Sequence, residues 1–168
     1  MPSMEQEVAI DVQKLCAEEL KEFMPDACST SKEIQAAISA AQKAVAKNDR
    51  NFVAWFVLGS LAFKQNQLNQ AQEALEKSLS LQPDYFHALH NLAVVFRSTC
   101  NWERSKSLLD QALKIRPASD EAWYNLGLIY VQTDDATQYE NVLARLESLK
   151  SPLKEHLEKF KANYDRME

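Results

Sequence analysis

His87 and His90 stand three residues apart, a spacing that puts two imidazoles on one face of a helix, where they could meet one metal ion. No cysteine or carboxylate at useful spacing joins them, so the pair reads as ordinary helix surface and no metal site is expected. The three cysteines, Cys16, Cys28 and Cys100, are an odd number without a C-x-x-C pair. That pattern indicates neither a disulfide framework nor zinc, and reduced thiols are the expectation. The two glycines, Gly59 and Gly127, are too few and too far apart for a phosphate-cradling loop or a dinucleotide fingerprint. No spacing proposes a nucleophile with a base and an orienting group, so no enzymatic activity and no cofactor are expected. Two carboxamides, Asn91 and Asn125, are set 34 residues apart. Each offers both a donor and an acceptor.

The chain that must position these groups has 168 residues, 46% of them apolar, enough for one domain with a continuous core. Residues 1 to 31 hold seven acids (Glu5, Glu7, Asp11, Glu18, Glu19, Glu22, Asp26) against two bases (Lys14, Lys21), which accounts for the whole formal charge of −5. The body carries 17 bases and 17 acids and is neutral. A neutral body without a basic stripe argues against nucleic acid as a partner, because phosphate neutralisation supplies most of that affinity. It argues equally against a polybasic membrane contact. No stretch approaches the roughly 18 apolar residues of a membrane span, and Met1 to Val12 is too acidic for a secretory signal. A cytoplasmic protein without membrane insertion is expected. So little glycine also disfavours hairpin turns, which leaves an all-helical chain.

Internal self-similarity organises that chain. Trp55-x2-Leu58-Gly59 recurs as Leu89-x2-Leu92-Ala93 and as Trp123-x2-Leu126-Gly127, each step being 34 residues. Ala71-x3-Leu75 is followed at the same interval by Ser105-x3-Leu109, and Pro83 by Pro117. With these residues in place the sequence resembles the tetratricopeptide repeat family, whose pattern is W-x2-L-G-x2-Y, A-x3-F and P. Residues 120 to 130 match its first half completely, ending at Tyr130. The resemblance implies an all-α solenoid, a right-handed superhelix of antiparallel helix pairs.

Physical reasons support the pattern. Small residues at Gly59, Ala93 and Gly127 let the first helix of a pair approach the second, with Ala71 in the facing small position. Trp55 and Leu58, Leu92 and Phe96, and Trp123 and Tyr130 fill the remaining space. Pro83 and Pro117 stop the second helices, which makes Gln82 and Arg116 helix ends. Asp84 and Asp120 are able to cap the helices that follow. Asn66, Cys100 and Asp134 take the turn within each pair, where the family normally has glycine. Cys100 tolerates left-handed backbone least and marks a strained or exposed turn.

Helices are expected near 53–65, 69–81, 86–98, 103–115, 120–132 and 136–149, giving three repeats at 52–85, 86–119 and 120–151. Ala37, Ala41 and Ala44 place a degenerate half-repeat at 32–51, its helix at 32–47, with Asp49 where proline would stand. Upstream, Met24-Pro25-Asp26 and Cys28-Ser29-Thr30-Ser31 read as a loop and a cap. A helix is expected at 4–24, with Val8, Val12, Leu15, Cys16, Leu20 and Phe23 on one face. Pro152 opens a last helix, Leu153 to Arg166, with Leu157, Phe160 and Tyr164 inward. It serves as the polar cap within 152–168 that a solenoid needs.

In the family, first helices line a concave face, so the resemblance implies that a partner lies there. The positions are Val53, Phe56, Val57, Ser60, Phe63 and Lys64 in the first repeat and His87, His90, Asn91, Val94 and Arg97 in the second. Glu121, Tyr124, Asn125, Leu128 and Gln132 follow in the third. This stripe is more apolar and aromatic than a solvated face needs to be, which is a common mark of an interaction site. Alternatively, some of these residues pack against neighbours or under the N-terminal helix. Asn91 and Asn125 look like two rungs of the family's asparagine ladder, which binds peptide backbone; Val57 interrupts it in the first repeat. Members that clamp the C-terminal carboxylates of heat-shock chaperones carry Lys and Asn in the first repeat and Lys and Arg in the third, where Phe56, Ser60, Glu121 and Asn125 stand here, so a carboxylate would meet no matching cations. That co-chaperone reading is rejected.

The expected function is a scaffold or adaptor that holds a peptide or helix of another protein. The alternative is a dedicated chaperone for a secreted or assembling client. For the acidic N-terminal helix three roles compete: packing as the missing half-repeat, occupying the groove, or docking on a partner or a second copy. Self-association through it is therefore one expectation.

Overall fold

The computed structural model describes residues 31–166, in which all regular structure is helical. The helices are α1 (Ser31–Lys47), α2 (Phe52–Lys64), α3 (Leu68–Leu81), α4 (Phe86–Ser98), α5 (Trp102–Ile115), α6 (Asp120–Gln132), α7 (Ala136–Ser148) and α8 (Leu153–Tyr164). Each lies within two residues of the span expected for it. The helix expected at 4–24 lies outside the described residues. The chain divides into two units, Met1–Pro83 and Asp84–Glu168.

First helices of the pairs end by one device. The amide of Gln67 donates to the Ala62 carbonyl at 2.9 Å and that of Asn66 to Phe63 at 2.9 Å. This is the Schellman arrangement, in which one left-handed residue reverses the chain and satisfies carbonyls of the last turn. Asn101 and Cys100 repeat it on Phe96 and Arg97, and Asp135 and Asp134 on Tyr130 and Val131. The left-handed residues are Asn66 (φ 58°), Cys100 (φ 57°) and Asp134 (φ 52°), the three turn positions expected from the sequence. Lys150 (φ 53°) ends α7 in the same way and was not anticipated. A left-handed L-residue with a Cβ costs about 1 kcal/mol or more, so Cys100→Gly is expected to stabilise the chain by about 1 kcal/mol. Urea unfolding of the two proteins measures this, and a loss of stability would refute the strain.

Second helices end differently. Gln82 (φ −138°) and Arg116 (φ −129°) are the C-caps of α3 and α5 and are extended, as the ring of a following proline requires. The expected aspartate caps need correction. Tyr85 occupies the N-cap of α4 without a side-chain cap bond, so Asp84 does not cap it. Ser119 caps α6 by accepting from the Ala122 amide. Asp120 falls inside the first turn, where one carboxylate oxygen accepts from the Ser151 hydroxyl at 2.7 Å.

In the first unit α2 packs against α1 and α3. A Cβ on Gly59 would lie 2.6 Å from Leu75 Cγ and 3.0 Å from the Ala71 carbonyl oxygen, so only glycine admits this crossing. The hydroxyl of buried Ser78 donates to the Phe52 carbonyl at 2.8 Å. In the second unit α5 packs on α4 and α6, and α6 also meets α4, α7 and α8. Ser105, at the place Ala71 holds one repeat earlier, is fully buried and donates to the Ala93 carbonyl at 2.7 Å across the crossing. The hydroxyl therefore costs nothing there, because its bond is made.

The third crossing departs from the other two. A Cβ on Gly127 would collide with the Leu157 side chain of α8 and lie 3.2 Å from Val142 Cγ1 of α7. The glycine thus admits the terminal helix as well as its own partner. Leu157 is wholly buried, whereas Phe160 and Tyr164 are half-buried beside it.

Candidate functional site

The expected stripe is distributed unequally between burial and exposure. On α2, Val53, Phe56, Val57 and Ser60 are buried, Phe56 to 3% exposure, while Phe63 is half-buried and Lys64 is exposed. Four of the six positions are therefore interior. Another stripe of α2, Trp55, Leu58 and Ala62, lines a cleft of about 780 Å³ with Ile38 of α1 and Gln70 of α3, a feature for which sequence spacing gave no signal.

The second unit keeps its stripe near solvent. His87, His90, Asn91, Val94 and Arg97 of α4 are all half-buried. On α6, Tyr124, Asn125 and Gln132 are half-buried, Glu121 is exposed and Leu128 is buried. A polar relay ties the two helices together. The Asn125 amide nitrogen, which can only donate, lies 3.1 Å from His90 Nε2 and 2.9 Å from the Glu121 carbonyl oxygen. His90 Nε2 is then the acceptor, and its Nδ1 carries the proton toward Asn91 Oδ1 at 3.4 Å. Both amide hydrogens of Asn125 are committed, so what this side chain offers a ligand is its carbonyl oxygen. The two asparagines expected as rungs are joined through His90.

The electrostatics follow from partial burial. Burial is the main cause that holds His87 below its ordinary 6.5, reinforced by the positive Arg116 and by His90 and opposed by Glu121. Arg116, just past the end of α5, also stacks its guanidinium 4.4 Å from the Phe86 ring centre. It belongs to no repeat motif, so its role at this edge could not be read from spacing. Arg97 is likewise lowered by burial, with Tyr124 acting in the opposite direction. A histidine with a depressed folded pKa binds its proton more readily when unfolded. Stability from His87 is thus complete above 6.5 and is lost as pH falls below that value. The native chain is expected to lose more stability between pH 7.5 and 5 than His87→Gln. Urea titrations across that range check it, and parallel curves would contradict it.

Among the described residues no group of three His, Cys, Asp or Glu side chains is placed to hold a metal ion. No described helix is long and apolar enough to cross a membrane.

Two models of the tetratricopeptide repeat match this chain, one over residues 30–96 and one over 100–138. The chain belongs to the tetratricopeptide repeat family, and its fold is an all-α solenoid of the kind that serves protein–protein interaction. The tetratricopeptide repeat-containing protein trd-1 of Caenorhabditis elegans is 28% identical over 92 residues, 55% of this chain and 12% of its own length. Protein O-mannosyl-transferase Tmtc3 of Drosophila melanogaster is 27% identical over 89 residues, 53% of this chain and 10% of its own length. The match thus spans only about a tenth of either relative. Among solved structures, MamA from Desulfovibrio magneticus RS-1 superposes with a TM-score of 0.65 at 19% identity, covering 71% of this chain and 67% of that one.

Proposed function

We propose that this chain is a non-enzymatic adaptor that holds a peptide or helical segment of another protein against the face formed by α4 and α6. The observation that carries this reading is the Asn125–His90–Asn91 relay, which crosses from α6 to α4 at 3.1 Å and continues along α4 to Asn91 at 3.4 Å, on the helices that also carry half-buried Val94 and Tyr124. A fixed polar line next to half-buried apolar side chains suits a polypeptide. Backbone groups meet the carboxamide oxygen while side chains cover Val94 and Tyr124. The buried stripe of α2 gives that helix a structural share in the scaffold.

The test is affinity capture from native cells with the unaltered chain and with Val94→Lys and Tyr124→Ala, each verified as folded by circular dichroism. Both variants are expected to lose the captured protein. Retention by both would overturn the α4 and α6 face as the site. An adaptor's partner should also stay soluble in cells lacking the chain, which separates this role from that of a dedicated chaperone.

A further inference from the structure

Arg97 lies in the last turn of α4 and is half-buried, and its Nε is closed from solvent without a hydrogen-bond partner. Among the described residues no carboxylate pairs with it, although other cations of the same unit do find acids. Lys106 reaches Glu103 at 2.7 Å, and Lys159 pairs with Glu155 at 2.6 Å. A cation near the C-terminal end of a helix is favoured by the helix dipole, but that attraction supplies no acceptor for its N–H groups. Taking a guanidinium partly out of water without a counter-ion is costly, and the cost falls when an anion arrives.

We propose that Arg97 anchors a carboxylate-binding subsite on the α4 and α6 face, which takes an aspartate or glutamate side chain from an acidic segment of the partner. This rests on the reading that the face holds the partner, and it adds the partner's chemistry. One guanidinium supplies a single positive charge and a planar fork that matches a carboxylate. A phosphate dianion would call for further cations. Among the described residues the group whose charge acts on Arg97 is Tyr124, and no second cation joins it there. Beside Arg97, Val94 and Tyr124 supply apolar contact to the flanking residues. The expected ligand is thus a short segment with one acidic residue among apolar ones.

The test needs no known partner. A displayed library of random 12-residue peptides is selected against the full chain and, in parallel, against Arg97→Gln, Arg97→Lys and Arg97→Glu, each checked by thermal melting. The unaltered chain is expected to enrich peptides with an acidic residue at a fixed offset from an apolar one. Arg97→Glu should move that position to a basic residue, and Arg97→Lys should keep the acidic preference with weaker binding. For one synthesised peptide, replacing its acid by the amide should weaken binding about tenfold to the unaltered chain and less than twofold to Arg97→Gln, the scale of one charged hydrogen-bonded pair.

Enrichment without an acid, the same peptides from Arg97→Glu, or no enrichment at all would overturn the subsite. A mass that halves in Arg97→Gln would also overturn it, since a second copy is then the occupant. Peptides that lose binding to Tyr124→Ala yet ignore every Arg97 change would overturn the subsite alone. Peptides indifferent to Tyr124→Ala and Val94→Lys would sink the face itself.

Discussion

Phe56→Ala is expected to lower the unfolding free energy by about 3–5 kcal/mol, the range for removing a buried aromatic side chain. Phe56 is 3% exposed, and Val53, Val57 and Ser60 on the same stripe are buried with it. Repeat register alone makes Phe56 equivalent to His90 and Tyr124, both of which are half-buried. Equivalence of position has therefore not brought equivalence of role. The consequence for experiment is practical: loss of a partner in Phe56→Ala would report lost structure, whereas half-buried Tyr124 leaves part of its ring open to a partner. Tyr124→Ala is read beside a stability measurement, because the ring also packs on the core. Guanidinium unfolding measures the effect. A cost under about 1 kcal/mol, the scale of a surface change, would mean that Phe56 is not core.

Leu157→Ala is expected to cost about 2–5 kcal/mol, because it empties the slot at Gly127 into which the terminal helix is keyed. The pair makes a sharper prediction than either residue alone. Gly127→Ala in the native background adds a Cβ that collides with Leu157 and crowds Val142, an overpacking that costs about 1–3 kcal/mol. With Leu157 already truncated, the added methyl enters vacated space and gains helix propensity of about 1 kcal/mol. The second change should then be neutral or stabilising, and the cycle should show coupling of roughly 1–3 kcal/mol. Additive effects would show that α8 does not rest on Gly127.

The contrast between Gly59 and Gly127 explains how much of this molecule could be read beforehand. Gly59 meets Ala71 and Leu75, residues 12 and 16 positions along and inside the same repeat, so spacing and size sufficed. Gly127 meets Leu157, 30 residues away in a helix outside the repeats, and its angle of approach is written in no periodicity. Helix ends divide in the same way. Pro83 and Pro117 announce themselves, as do Asn66 and Asp134, which tolerate left-handed backbone. Lys150 does so at φ 53° within the same local bond, from Ser151 to Leu146, but a lysine does not announce a left-handed turn by its type.

The candidate site was half legible. Membership of the stripe followed from helical register, but what covers each position did not, so the interior stripe of α2 and the half-buried stripe of α4 looked alike. Trp55 and Trp123 carry a signal beyond their bulk, the indole N–H. Their indoles donate to the carbonyls of Asp49 and Pro117 at 2.8 and 3.0 Å, each six residues back, which locks the first helix onto the chain that precedes it. Leu89 holds the same position in the middle repeat and has no donor to offer.

Site-directed photocrosslinking tests the central claim most directly. p-Benzoylphenylalanine replaces Val94 on α4 in one protein and exposed Gln111 on α5 in another, and both are irradiated in native cells. The account predicts a crosslinked partner from position 94 that is absent from position 111. A partner trapped from position 111 and not from 94 would contradict it.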